Sequence, residues 1–401
     1  MGEHQHQRDW QDLAVIPYGR QDIQEADLLA VREVLQSDFL TQGPAVPLFE
    51  KAVAQYCQAQ RAVAVNSATS ALHISLLALE VQPGDAVWTS PNTFVASANA
   101  ALYCGAKVDF VDIDPTTYNM SVCALEQKLV LAEKSGLLPK VVIPVHLAGQ
   151  SCDMQGIHKL AQRYGFKIVE DASHAIGGQY FGQPVGNCSY SDITVFSFHP
   201  VKIITTAEGG MAVTNNHQLA DKMGMYRSHG ITRDPELMTQ TPDGPWYYQQ
   251  ISLGYNYRMT DLQAALGVSQ IQRLNDYIAR RHVIADRYHK ELAALPITIP
   301  FQAEFSRSAY HLYIIRLNLD AIAPLTHLQV FQAMREREIL VNLHYIPVHT
   351  QPFYRAMGFN WGDFPNAEAY YRSAISIPIF PMLTERAQTE VIDQLRSILE
   401  G

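Results

Sequence analysis

Five short stretches of this chain carry the residues able to do chemistry. They are Asn66-Ser67-Ala68-Thr69-Ser70-Ala71, Pro91-Asn92-Thr93-Phe94, Glu170-Asp171-Ala172-Ser173-His174, Ser197-Phe198-His199-Pro200-Val201-Lys202 and Gly254-Tyr255-Asn256-Tyr257-Arg258-Met259-Thr260-Asp261. Lys202 is the most telling residue among them. It stands just past Asp192-Ile193-Thr194-Val195-Phe196-Ser197-Phe198, a β-branched and aromatic run that reads as a buried strand. A lysine at the mouth of such a strand is desolvated, which moves its amine toward the neutral, nucleophilic form. A Schiff-base lysine needs that state. A solvated lysine in a turn is the ordinary alternative, and the neighbouring stretches decide between the two.

Small residues at 66–71, between an expected strand and helix, leave backbone N–H groups open at a helix N-terminus, which suits a phosphate. The same residues could simply cap the helix through Ser67 or Thr69. Asp171 stands at a buried strand end, where an ionised acid demands a cationic partner such as a protonated ring nitrogen; a helix-capping aspartate is the plainer reading. Phe94 could lay its face over a planar ring or pack in a core. The stretch at 254–261 is dense in aromatic and polar groups before a long helical pattern, and Thr260 or Asp261 could serve as its cap.

The elements that must hold these groups follow an alternating rhythm. Strands are expected at residues 62–65, 86–89, 107–111, 141–145, 166–170, 192–198 and 211–214, with helices at 23–36, 67–79 and 95–103 and another ending at Gly165. That pattern is α/β with a largely parallel sheet, whose ligands gather at the strand C-terminal ends. One long helix is expected over residues 261–295, bridging to a second unit. The predicted organisation is a polar lead at 1–15, a large domain at 16–270 and a smaller α+β domain at 271–401.

The 401 residues, 47% hydrophobic and 17% charged, suffice for a large core and two domains. A formal net charge of −9 without any basic run argues against nucleic-acid or anionic-membrane partners. Five cysteines, Cys57, Cys104, Cys123, Cys152 and Cys188, lack metal-ligand spacing and suggest buried thiols in a reduced, cytoplasmic protein. The polar N-terminus does not read as a signal peptide, and no apolar run reaches membrane-spanning length.

In order and spacing these stretches resemble the DegT/StrS-type sugar aminotransferases, pyridoxal-phosphate enzymes of the fold type I class. The match rests on Ser-Ala-Thr-Ser, Glu-Asp-Ala-Ser-His, Ser-Phe-His-Pro-Val-Lys…Glu-Gly-Gly and Leu-Gly-Tyr-Asn-Tyr-Arg-Met-Thr-Asp-Leu-Gln-Ala-Ala, and spans nearly the whole chain from Ile16. The resemblance implies that Lys202 bonds to the cofactor, Asp171 keeps its pyridine nitrogen protonated, His174 lies on its hydroxyl side and Phe94 stacks on the ring. Ala68, Thr69 and Ser197 would hold the phosphate, joined by Asn256 from a second subunit of a homodimer.

The opening Ile16-Pro17-Tyr18-Gly19-Arg20-Gln21 and the later His344-Tyr345-Ile346-Pro347-Val348-His349 resemble one branch of that family, the C4 aminotransferases of pseudaminic acid biosynthesis. That branch moves the amino group of L-glutamate onto UDP-2-acetamido-2,6-dideoxy-β-L-arabino-hexos-4-ulose. Tyr18, Arg20, Arg227, His229, Arg233, Tyr345 and His349 would then be candidates for the sugar and its diphosphate. Ile203-Ile204 and Ala207 depart from the branch, at positions where a proline and a glycine are expected. Sugar dehydratases similar to this family carry histidine in place of the lysine, so Lys202 speaks against that activity. The lack of a Gly-x-Gly-x-x-Gly after any early strand speaks against a nicotinamide-dependent oxidoreductase. An intact lysine and aspartate speak against a non-catalytic relative.

Overall fold

The structure is a computed structural model that describes residues 15–401. All but the last residue of the expected polar lead thus lie outside the described residues. At the centre is a seven-stranded sheet. Its strands are β1 (Arg61–Val65), β2 (Ala86–Thr89), β3 (Lys107–Phe110), β4 (Val141–Ile143), β5 (Lys167–Asp171), β6 (Ile193–Ser197) and β7 (Gly210–Thr214). They lie in the order β1-β7-β6-β5-β4-β2-β3. Only β7 runs against its neighbours β1 and β6; the other pairings are parallel.

Every residue of β6 and β7 is buried, because helices cover both faces of the sheet. Successive side chains alternate between two apolar cores. Ile193 and Val195 of β6 and Ala212 of β7 face the core built on the Ala68–Ala78 and Val95–Tyr103 helices. Phe196 of β6, with Met211 and Val213 of β7, faces the one that holds Phe49 and Ile278. The strand and helix expectations hold to within two residues at most ends, which places the C-terminal ends of β1, β2, β4, β5 and β6 on one rim.

The helix expected over residues 261–295 is two helices, Asp261–Ile271 and Leu274–Leu292. Arg273 leaves the helical region (φ −103°, ψ 5°). Its guanidinium is drawn instead onto Asp27, with hydrogen bonds of 2.8 and 2.6 Å to the two carboxylate oxygens. Asp261 caps a different helix from the one it begins: its carboxylate accepts the N–H groups of Gly43 and Ala45, both at 2.7 Å, at the start of Ala45–Cys57.

Beyond the second of these helices, Ile297–Thr298, Tyr313–Leu317 and Ala374–Ile377 form an antiparallel sheet with its own core around Tyr288, Tyr313, Ile375 and Val391. Two pairings cross the expected boundary between residues 270 and 271. Ile16–Pro17 adds in parallel to Ile339–Leu340, and Ser306–Arg307 pairs with Gln179–Tyr180. Four of the five cysteines are buried thiols, as expected; Cys123 is exposed near the start of the Val122–Ser135 helix.

The turn Leu147–Gly149 after β4 brings three segments together. Gly149 has φ +105°, and a Cβ there would stand 2.9 Å from the Tyr310 nitrogen and 3.0 Å from the His174 carbonyl oxygen. Only glycine satisfies both the torsion and the close approach. Gly149→Ala is therefore expected to lower unfolding stability by about 2 kcal/mol, read as a reduced midpoint in urea at unchanged slope.

Candidate active site

A cavity of about 570 Å³ opens at the C-terminal rim of the central sheet. Lys202, Asp171, His174, Ser197, Ala68, Thr69 and Phe94 all line it, so seven of the eight residues expected around a cofactor come together from four separate segments. The eighth, Asn256, is exposed and lies outside this cavity. Its flanking residues explain why. Tyr255 and Tyr257 stack on each other at 4.9 Å and both pack on His73, so alternation turns Asn256 outward.

Lys202 sits in a loop between β6 and β7 that is pinned from both ends. The Thr206 amide donates to the Phe198 carbonyl (3.0 Å), and the Phe198 amide to that of Gly209 (2.9 Å). Ile203 and Ile204, the two unexpected residues, are buried beneath it in the core with Phe198, Met211 and Met259. Each such burial is worth roughly 1.5–3 kcal/mol, enough to fix the loop's outward face. Ala207 has φ +63°, which accounts for glycine being the residue expected there. The Lys202 amine is pushed down to about 8 by burial, against the pull of the Asp171 carboxylate.

Asp171 ends β5, buried. Its carboxylate accepts the Ser97 hydroxyl at 2.6 Å, and the Ser173 hydroxyl and amide at 2.5 and 3.1 Å. Among the described residues no cation forms an ion pair with it, so a basic nitrogen in the cavity would complete its partners. Asp171 does not cap a helix. Ser67 does: its hydroxyl accepts the Ser70 N–H at 3.1 Å, opening the Ala68–Ala78 helix. The amides of Ala68 and Thr69, the first of that helix, have no intrahelical acceptor and front the cavity beside Ser197. Phe94 is 59% exposed, an aromatic face uncovered above the lysine's cavity. An amine, a carboxylate without a cation, an open helix start and an uncovered ring together suit a flat, phosphorylated aldehyde with a basic ring nitrogen.

The expected substrate residues divide. Tyr18 and Tyr345 line the cavity; burial raises both phenols, and Tyr18 is hydrogen-bonded with Asn342. The other candidates do not reach it. Arg227 donates to Glu50 (2.6 Å) and the Ala64 carbonyl (2.8 Å), which bind the end of the His217–Arg227 helix to β1. His349 is fully buried, with Nε2 3.1 Å from Glu368 and its ring against Phe364. His229 is half-buried at φ +62°, its amide bonded to the Tyr255 carbonyl. Arg20 and Arg233 are outside the cavity lining as well.

Ser97, His311 and His344 are among the residues of the site that were not anticipated. Ser97 is the hydroxyl on Asp171, and its partner is 74 positions away. His311 and His344 line the cavity from the C-terminal part; burial and the charge of Lys202 hold His344 down to about 3. The His344-Tyr345 pair was visible in sequence, whereas His311 had no motif around it.

The chain belongs to the DegT/DnrJ/EryC1/StrS aminotransferase family, which it matches over residues 21–396. Enzymes of this family are pyridoxal-phosphate-dependent sugar aminotransferases of fold type I, and this chain is one of them. Two relatives illustrate the range. The chain is 39% identical to the spore coat polysaccharide biosynthesis protein SpsC of Bacillus subtilis, over 96% of this chain and 97% of that one. It is 37% identical to the UDP-4-amino-4,6-dideoxy-N-acetyl-β-L-altrosamine transaminase of Campylobacter jejuni, over 96% and 98%. Among solved structures, the Helicobacter pylori aminotransferase involved in pseudoaminic acid biosynthesis superposes with a TM-score of 0.86 at 30% identity, over 96% and 99% of the two chains. Spr1654 of Streptococcus pneumoniae, assigned as a sugar aminotransferase, superposes in its PLP form at 0.85 and 30%, over the same shares, and is solved in a PMP form too.

The depressed lysine has a measurable consequence. Recombination of pyridoxal phosphate with the cofactor-free protein should quicken about tenfold per pH unit below about 8 and level off above it, because only the neutral amine adds. Stopped-flow absorbance would follow it. A plateau beginning only near pH 10 would mean that Lys202 titrates as a solvated amine.

Proposed function

We propose that this enzyme transfers the amino group of L-glutamate to C4 of UDP-2-acetamido-2,6-dideoxy-β-L-arabino-hexos-4-ulose, a step of pseudaminic acid biosynthesis. The observation that carries the reading is the desolvated Lys202 amine in a cavity shared with Asp171 and walled by Tyr18 and Tyr345. The likeness to the Campylobacter transaminase supports the choice of sugar.

Pyridoxal phosphate, when bound, supplies the electron sink for the pair freed at the donor's α-carbon. Asp171 holds the proton on the cofactor's ring nitrogen, its carboxylate kept in place by Ser97 and Ser173. The Ala68 and Thr69 amides and Ser197 hold the phosphate. Lys202 would hold the cofactor through its ε-nitrogen and, with that nitrogen freed by the donor amine, would be the base that takes the donor's α-proton and the acid that returns it. An amine near 8 can take and return that proton at neutral pH. Phe94, uncovered at the cavity, would lie against the ring and keep water from it.

A homodimer completes this reading: Asn256, turned outward by its tyrosine neighbours, would hold the phosphate in the second subunit's cavity. The division at 16–270 and 271–401 and a cytoplasmic setting belong to the same proposal. A second reading, an aminotransferase for a different keto nucleotide sugar such as one of a bacillosamine-type route, is favoured by the comparable identity to the spore coat protein.

Two experiments test the assignment. Lys202→Ala should lose turnover by several orders of magnitude while keeping its circular dichroism and melting temperature; retained activity would remove Lys202 from the mechanism. Purified enzyme given glutamate and the two UDP-linked 4-keto-6-deoxy sugars, L-arabino and D-xylo, should aminate the L-arabino isomer by mass spectrometry. Preference for the D-xylo ketone would select the second reading.

A further inference from the structure

We infer that the Tyr345 hydroxyl is a hydrogen-bond donor to the keto oxygen of the accepting sugar, and that His174 is the positioning residue that aims it. The inference rests on the keto-sugar reading above and adds a residue-level role to it.

The argument is one of proton counting. A backbone N–H can only donate, and that of Ala148 points at Nδ1 of His174 from 3.3 Å. Nδ1 therefore carries the lone pair. Burial first, and the nearby charge of Lys202 second, hold the ring far below its ordinary pKa, so it is neutral and its one proton is on Nε2. Nε2 lies 3.0 Å from the Tyr345 oxygen, which must accept that proton's hydrogen bond. The phenol's own proton then has to go elsewhere. Burial first, and the Asp171 charge second, push the phenol well above its ordinary range, so the proton stays on. Among the described residues the hydroxyl has no second partner, and it borders the cavity with Lys202 and Phe94.

The ring that aims it cannot turn. His311 lies against it with centroids 4.4 Å apart, and the His311 carbonyl is gripped by the buried Arg281 guanidinium at 3.2 Å. Tyr345 is held through its neighbour: the His344 carbonyl accepts the Tyr370 hydroxyl at 2.5 Å, and His344 Nδ1 meets the Ser376 hydroxyl at 2.8 Å. A fixed, neutral O–H beside the reacting amine suits an oxygen that gains negative charge as its carbon is attacked. The sugar ketone brings such an oxygen to the reacting carbon from the start, whereas in the glutamate half-reaction it arrives only with the water of the final hydrolysis, after the donor's proton has moved and the resting band has been lost.

The test separates the two half-reactions on the holoenzyme by stopped-flow absorbance. In Tyr345→Phe, the reaction of glutamate with the resting enzyme should stay within a few-fold of wild type, while reaction of the aminated enzyme with the keto sugar slows on the order of a hundredfold. His174→Leu should lose the ketone half-reaction to the same degree, His174→Gln, which keeps an N–H donor, should recover most of it, and the double variant Tyr345→Phe/His174→Leu should be no slower than Tyr345→Phe. The pH titration of the resting enzyme's visible band should be unchanged in Tyr345→Phe. Equal slowing of both half-reactions, an unimpaired ketone step, or a shifted resting titration would each overturn the inference, the last by assigning the hydroxyl to the cofactor. If wild-type enzyme reacts with glutamate but with no keto nucleotide sugar, the functional reading fails and the inference falls with it; a normal wild type beside an unimpaired Tyr345→Phe refutes the inference alone.

Discussion

The site depends on an amine being kept short of water at the end of a buried sheet. Burial pushes the Lys202 ammonium toward its neutral form, and the Asp171 carboxylate, in the same cavity, pulls it back. The first effect wins because Asp171 is already engaged by two serine hydroxyls and one amide, which spread its charge without neutralising it. A lysine or arginine paired directly with Asp171 would cancel the acid that a ring nitrogen needs. A solvated Lys202 would cancel the nucleophile. The fold meets both conditions by putting the two groups at the ends of adjacent parallel strands, β5 and β6, which no water reaches from below.

That arrangement explains the otherwise costly features around it. A loop with two adjacent isoleucines forced inward, and a non-glycine residue at φ +63°, trades local strain for a fixed lysine. A sheet whose strands are apolar on both faces spends nearly all its side chains on packing, so the reactive groups come from the loops at its C-terminal rim. Pyridoxal phosphate suits this rim because an amine, a carboxylate without a cation and an open helix start are offered to one cavity by three different loops, one for each of its aldehyde, ring nitrogen and phosphate.

How far the sequence revealed this follows from which contacts are local. Periodicity located the strands, since continuous β-branched runs are buried on both faces, and the residues after them could be named as a set. The single long helix was misread because nothing in its pattern betrays Arg273 turning to Asp27, some 246 positions away. Arg227 and His349 looked available because they are polar in polar surroundings. Their partners Glu50 and Glu368 are 177 and 19 positions distant, and an ion pair leaves no trace in either local pattern. Ser97 and His311 were hidden for the same reason.

The histidine tautomer shows the sharpest form of that limit. The family resemblance singles out His174 for the cofactor's hydroxyl side, but nothing in the sequence gives the direction of its proton. Direction comes from Ala148, whose amide is aimed by a turn that only Gly149 permits, and from His311, brought in by the C-terminal part of the chain. A substitution at Gly149 would therefore act on Tyr345 without touching it, by removing the donor that puts the His174 lone pair on Nδ1. The orientation of one hydroxyl in the cavity is thus set by backbone geometry three residues' contacts away, and chemistry at the rim inherits its precision from the turns that pack beneath it.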